Sequence, residues 1–200
     1  MDIEPLENKI LLILLKDSSI KLKHTITSLA KSLKLTRTGV WKILKKLQSL
    51  NFVKLTKIGN GKTSTYMIEI KWGVLTEKTL ALYLTQEALK EARWRSNFAE
   101  LENISDFIII YGSILNSPKE ANDIDILCIA PKDQFLNIQN AINKVQKIQI
   151  KKIHDISFTN EEFKSEFYNS NKAFIEAVRK GIVLYVQEKF VKFMEEVSTK

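Results

Sequence analysis

Gly112, Ser113, Asp123 and Asp125 have the types and spacing for metal-assisted phosphate chemistry, and all four lie in residues 107–129, FIIIYGSILNSPKEANDIDILCI. In an extended strand successive side chains alternate faces. Asp123 and Asp125 therefore project to one side, while Ile124 and Ile126 enter the core. Two carboxylates held close together form a hard-oxygen ligand pair suited to Mg2+, which commonly shares its coordination sphere with substrate phosphates. Residues 107–111 read as a buried strand, and Gly112-Ser113 falls where the chain must turn sharply. Glycine lets backbone approach a ligand closely, and free amides near a turn or helix start hold phosphate oxygens.

This order of strand, Gly-Ser, spacer (residues 114–122) and Asp-x-Asp strand resembles the nucleotidyltransferase superfamily that includes DNA polymerase beta, in particular its minimal nucleotidyltransferase domains. The resemblance covers residues 97 to 187. It implies that Asp123 and Asp125 bind Mg2+ bridging a triphosphate and that Gly112 and Ser113 grip the β and γ phosphates. It also implies a third carboxylate on a later strand, which would complete a second metal site and help deprotonate the acceptor. Asp155, in KKIHDISF (151–158), is the best match, although the alternation there also reads with His154, Ile156 and Phe158 on one face. The implied reaction moves a nucleoside monophosphate from an NTP, with ATP foremost, to a protein side chain, an RNA end or a small molecule. Residues 171–186 resemble the close of such a domain, with a helix, Gly181 as its C-cap and a final apolar strand. Two departures stand out: the spacer lacks the Arg and Gly often found there, and Asn122 replaces a frequent Ser.

The 200 residues carry a formal net charge of +8, and this charge is unevenly placed. Residues 1–75 hold 14 Lys or Arg against 5 Asp or Glu, while residues 76–200 hold 17 against 18. A basic segment of that size implies an anionic partner, nucleic acid ahead of a membrane surface. No apolar run approaches the roughly 18 residues needed to span a bilayer. The opening MDIEPLENK lacks the basic region of a signal peptide, so a cytoplasmic, membrane-free protein is expected. The single cysteine, Cys128, reads as a core residue, and His24 and His154 share no zinc-ligand spacing and read as structural.

The basic segment predicts three helices and a hairpin. Pro5 lies near the start of a helix through Leu15, Thr25 or Thr27 caps a second helix, and Leu35-Thr36 begins a third. In the third, Val40, Leu44 and Leu47 pack inward and Lys42, Lys45 and Lys46 stay outside. Two β-like runs, 52–58 and 63–70, join through Gly59-Asn60-Gly61, where Asn-Gly is a strong hairpin signal. Residues 28–53 closely resemble the winged helix-turn-helix domains of prokaryotic transcription regulators, a resemblance covering residues 5 to 72. By analogy the third helix enters the major groove of double-stranded DNA. Thr36, Arg37, Thr38 and Trp41 then face the groove, with Lys34, Lys42, Lys45 and Lys62 on phosphates. Arg37 suits a bidentate guanine contact, whereas a helix tryptophan such as Trp41 is commonly partly buried packing.

The expected fold class is α+β. Residues 1–74 form a winged helix-turn-helix domain, 75–100 a connecting helix, 101–187 a mixed α/β nucleotidyltransferase domain and 188–200 a terminal helix. The connector, rich in Ala, Leu, Glu, Lys and Gln, offers a surface for a homodimer. Three functions follow. The first is a DNA-binding nucleotidyltransferase that regulates its own transcription in the manner of a toxin–antitoxin component whose transferase domain modifies a partner protein. The second is a transcription regulator with an idle, nucleotide-sensing domain, and the third is a scaffold whose basic surface binds no nucleic acid specifically.

Overall fold

The computed structural model describes residues 5–17, 24–60 and 65–199. The chain is mixed α+β with two small sheets, and it divides into two compact units, Met1–Leu80 and Ala81–Lys200. The division falls inside the segment that the sequence marks as a connector. No helix among the described residues is long and apolar enough to cross a membrane.

The first unit runs α1 (Pro5–Lys16), β1 (His24–Thr25), α2 (Ile26–Leu33), α3 (Arg37–Ser49), β2 (Val53–Ile58) and β3 (Thr65–Ile70). Ile10, Leu11 and Leu15 of α1 are buried with Leu29 of α2, Val40, Leu44 and Leu47 of α3, and Ile68 of β3. Each such burial contributes about 1.5–3 kcal/mol, so this core and not intrinsic propensity holds the short helices together. Thr25, and not Thr27, caps α2: its hydroxyl accepts from Ser28 N at 3.2 Å, and Ser28 Oγ accepts from Thr25 N at 2.9 Å. β3 pairs antiparallel with β2 and, on its other side, with β1. β1 is two residues long, too short to leave a periodic signal in the sequence. Lys46, expected to be solvated, ion-pairs at 2.8 Å with the buried Glu7 of α1. The far side of the hairpin loop, including Lys62, lies outside the described residues.

The predicted connecting helix over residues 75–100 is two helices and a 310 turn. α4 (Val74–Leu89) stops, and α5 (Ala92–Asn97) and a 310 turn (Ala99–Asn103) follow. No Gly or Pro marks the break. It lets Trp94, Phe98 and Leu101 enter the core of the second unit, and burying three large side chains outweighs the few tenths of a kcal/mol per residue that propensity offers.

The second unit is a four-stranded sheet in the order β6-β5-β4-β7. β4 (Phe107–Tyr111) lies antiparallel to β5 (Asp123–Ile129) and to β7 (Ile182–Tyr185), and β5 is parallel to β6 (Lys152–Phe158). The parallel pair needs a crossover, supplied by α6 (Phe135–Gln146). On one face Ile138, Ala141 and Ile142 of α6 cluster with Ile108, Ile110, Ile124, Ile126 and Cys128. On the other, α7 (Asn160–Tyr168), α8 (Lys172–Lys180) and α9 (Gln187–Ser198) bring up an aromatic core. In it the Phe107 ring lies 5.4 Å from Phe190, 5.3 Å from Phe193 and 6.2 Å from Phe163.

Gly181 closes α8 in extended backbone (φ −78°, ψ 169°), not in the left-handed conformation a glycine cap predicts. Its requirement is space. A Cβ there would lie 2.3 Å from Ala177 O, 2.5 Å from Ile109 Cγ2 and 2.9 Å from Ile110 O. Gly181→Ala is expected to cost about 1–3 kcal/mol, as overpacking does. Equilibrium urea unfolding would read it as a lower midpoint at unchanged slope. An unchanged midpoint would show that the α8–β7 junction yields freely.

Candidate functional site

The face of the sheet that carries the aromatic core opens toward one end. Along β5, Ile129 and Leu127 are fully buried, whereas the Asp125 and Asp123 side chains are 25% and 32% exposed. Ile124 and Ile126 point the other way, into the α6 core. The alternation expected of the Asp-x-Asp strand is therefore present, and it leaves two carboxylates at the rim of an otherwise apolar face.

Across the β4–β5 ladder Tyr111 stands opposite Asp125, and the chain leaves β4 through Gly112. Gly112 adopts φ +85°, ψ −167°, a region essentially confined to glycine. A Cβ at this position would sit 2.3 Å from Asp125 Oδ2 and 3.2 Å from its Cγ. Backbone and carboxylate are thus in direct apposition. Ser113 begins a short 310 turn (Ser113–Leu115), and its side chain is exposed. The spacer is ordered by its own backbone. Ser117 N donates to Ser113 O at 2.8 Å, Ala121 N donates to Ser117 O at 2.9 Å, and the Lys151 ammonium donates to Ala121 O.

Asp155 does not join this pair. In the parallel β5–β6 register Asp123 pairs with Lys152, Asp125 with His154 and Ile126 with Asp155. The side-chain period of a strand is two, so Asp155 shares the face of Ile126 and its neighbours, and His154 takes the carboxylate face. Its Nδ1 lies 3.3 Å from Asp123 Oδ2 and 3.8 Å from Asp125 Oδ1. Donor atoms of Asp123, Asp125 and His154 all lie within 4.8 Å of one another, a set able to hold a metal ion. Reading His154 as merely structural misses it. The alternative alternation of residues 151–158 already contained the signal, but choosing between the two needs the register.

The electrostatics are those of a crowded anionic site. Partial burial, foremost, and the Asp123 carboxylate raise the pKa of Asp125, with His154 opposing. Burial also raises that of the Tyr111 phenol, with Asp125 and Asp123 adding to it. Cys128, on the opposite face, is fully buried and its thiol is pushed far up, as befits a core residue.

In the first unit Lys34, Thr36, Arg37, Thr38, Lys42 and Lys45 are all exposed, around the start and along the outer face of α3. Thr36 is in addition the N-cap, its hydroxyl accepting from Gly39 N at 3.1 Å. Trp41 is half-buried, its ring 5.0 Å from that of Tyr66 on β3, with Lys45 Nζ 5.4 Å from its centroid.

No protein-family model matches the chain, and no curated protein or solved structure is found to be similar to it.

Proposed function

We propose that the chain is a DNA-binding nucleotidyltransferase-like protein. Its second unit would move a nucleoside monophosphate from an NTP to an acceptor, and its first would form a winged helix on duplex DNA. The apposition of Gly112 and Asp125 carries the reading: a turn without room for a Cβ, pressed on a metal-binding carboxylate, is what a triphosphate site needs. Asp123 and Asp125 would hold a divalent ion, for which two carboxylates alone suit Mg2+. Such an ion supplies charge neutralisation and Lewis-acid polarisation at the transferred phosphoryl group. Ser113 would donate its hydroxyl to a phosphate oxygen, and Gly112 would let backbone lie against the triphosphate. The acceptor hydroxyl would attack the α phosphorus and give up its proton to water, the bond from that phosphorus to the α–β bridging oxygen would break, and pyrophosphate would leave. Release of pyrophosphate from each NTP, with RNA ends, protein and small alcohols as acceptors, tests this. No release with any of them would sink the transferase reading.

One observation favours a second reading. His154 occupies the place where the resemblance implies a carboxylate, as a site that binds nucleotide without turning it over would allow. The chain would then be a regulator whose DNA affinity changes with nucleotide and which releases no pyrophosphate.

For the DNA half, the exposed cations around α3 would neutralise phosphates, and Arg37 would read a base. Against a duplex selected from a random pool, Arg37→Ala is expected to weaken binding about 10- to 100-fold. Its effect on unselected DNA should be much smaller. Equal loss on both would make Arg37 a phosphate contact.

A further inference from the structure

We infer that the Asp123–Asp125–His154 cluster is a mixed oxygen–nitrogen site that prefers a first-row transition dication, of the Mn2+ to Zn2+ series, over Mg2+. The inference rests on the metal-binding part of the proposed function and not on group transfer. Mg2+ is a hard ion that takes oxygen ligands and sheds water reluctantly, whereas an imidazole nitrogen is a donor that transition ions accept and Mg2+ does not favour. Two carboxylates alone suit Mg2+ and Mn2+ alike. The third donor decides between them.

The spacing is already suitable. Donors about 2.1 Å from a common ion stand about 3.0 Å apart at a right angle and about 3.4 Å apart at a tetrahedral one. His154 Nδ1 stands 3.3 Å from Asp123 Oδ2 and 3.8 Å from Asp125 Oδ1, so small side-chain rotations suffice. The parallel register places His154 beside Asp125 and turns Asp155 to the other face, so backbone pairing, and not a chance rotamer, selects imidazole over carboxylate. Gly112 closes a further side, since its backbone abuts Asp125 Oδ2 where any other residue would put a Cβ. The His154 side chain is 47% exposed, which leaves the site accessible and makes substitution there mild for the fold.

The test titrates Mn2+ and Mg2+ alone, without nucleotide, into the full chain and into His154→Asp and His154→Asn. Free Mn2+ is followed by its electron paramagnetic resonance signal, and Mg2+ by competition. Wild type is expected to bind Mn2+ with nitrogen hyperfine modulation from one imidazole. His154→Asp, which gives the site three carboxylates, should lose the modulation and lower the Mn2+ over Mg2+ preference at least tenfold. His154→Asn should lose the modulation and weaken Mn2+ binding. An unchanged preference in His154→Asp, an absent nitrogen signal in wild type, or no cation binding at all would each overturn the proposal. Pyrophosphate release is scored separately. A nitrogen-ligated ion without release leaves this inference standing and removes transfer, and release without a nitrogen-ligated ion does the reverse.

Discussion

Asp125→Asn is expected to lower metal-dependent nucleotidyl transfer by on the order of 10³-fold and at the same time to make the folded protein more stable at neutral pH. Both effects come from one arrangement. Asp125 is three-quarters buried beside a second carboxylate, and the partly exposed His154 opposes that repulsion. Its pKa in the folded protein lies above the ordinary carboxylate value, so the folded state binds the proton more tightly than the unfolded chain does. Its favourable contribution is then complete below the unfolded pKa of about 4 and is lost as pH rises through the raised folded value. The neutral amide carries no such loss. Wild type and Asp125→Asn should therefore melt at similar temperatures near pH 3.5 and diverge toward pH 7.5, with the variant higher. Calorimetric melting across that range, with pyrophosphate release on the same samples, reads both. A variant that melts lower at pH 7.5 would contradict the electrostatic account, and one that transfers at the wild-type rate would contradict the metal-binding role.

Gly112→Ala should remove cation and nucleotide binding and destabilise the second unit by about 1–3 kcal/mol. The backbone cost comes from φ +85°, ψ −167°, which non-glycine residues adopt only under strain. The functional cost is geometric. The new methyl would occupy the volume of Asp125 Oδ2, 2.3 Å away, so the carboxylate must rotate or the turn must lift. Either movement takes one donor out of a cluster whose three members now lie within 4.8 Å. Ser113→Ala is the informative partner variant: it keeps the backbone and the donors, so it should leave cation binding intact and weaken only NTP binding. Full Mn2+ binding in Gly112→Ala would show that the apposition is not needed to build the site.

Local pattern alone marked the strand pair, the Gly-Ser turn and the facing of Asp123 and Asp125, because a period of two and a glycine at a sharp turn are written in neighbouring residues. The inward set Val40, Leu44 and Leu47 and the exposed cations of α3 were legible for the same reason, as a period near 3.6. Other features depend on partners distant in sequence. The stop after Leu89 follows from the burial of Trp94, Phe98 and Leu101 and has no local breaker. Gly181 is required by Ile109 and Ile110, some seventy residues earlier, as well as by the nearby Ala177 carbonyl. The third member of the site was a choice between Asp155 and His154, adjacent residues that a strand must send to opposite faces. Residues 151–158 permit either orientation by themselves. The register of β6 on β5 and the apolar α6 face that buries Ile153 decide it, because strand pairing is a tertiary contact whose energy the short segment does not contain.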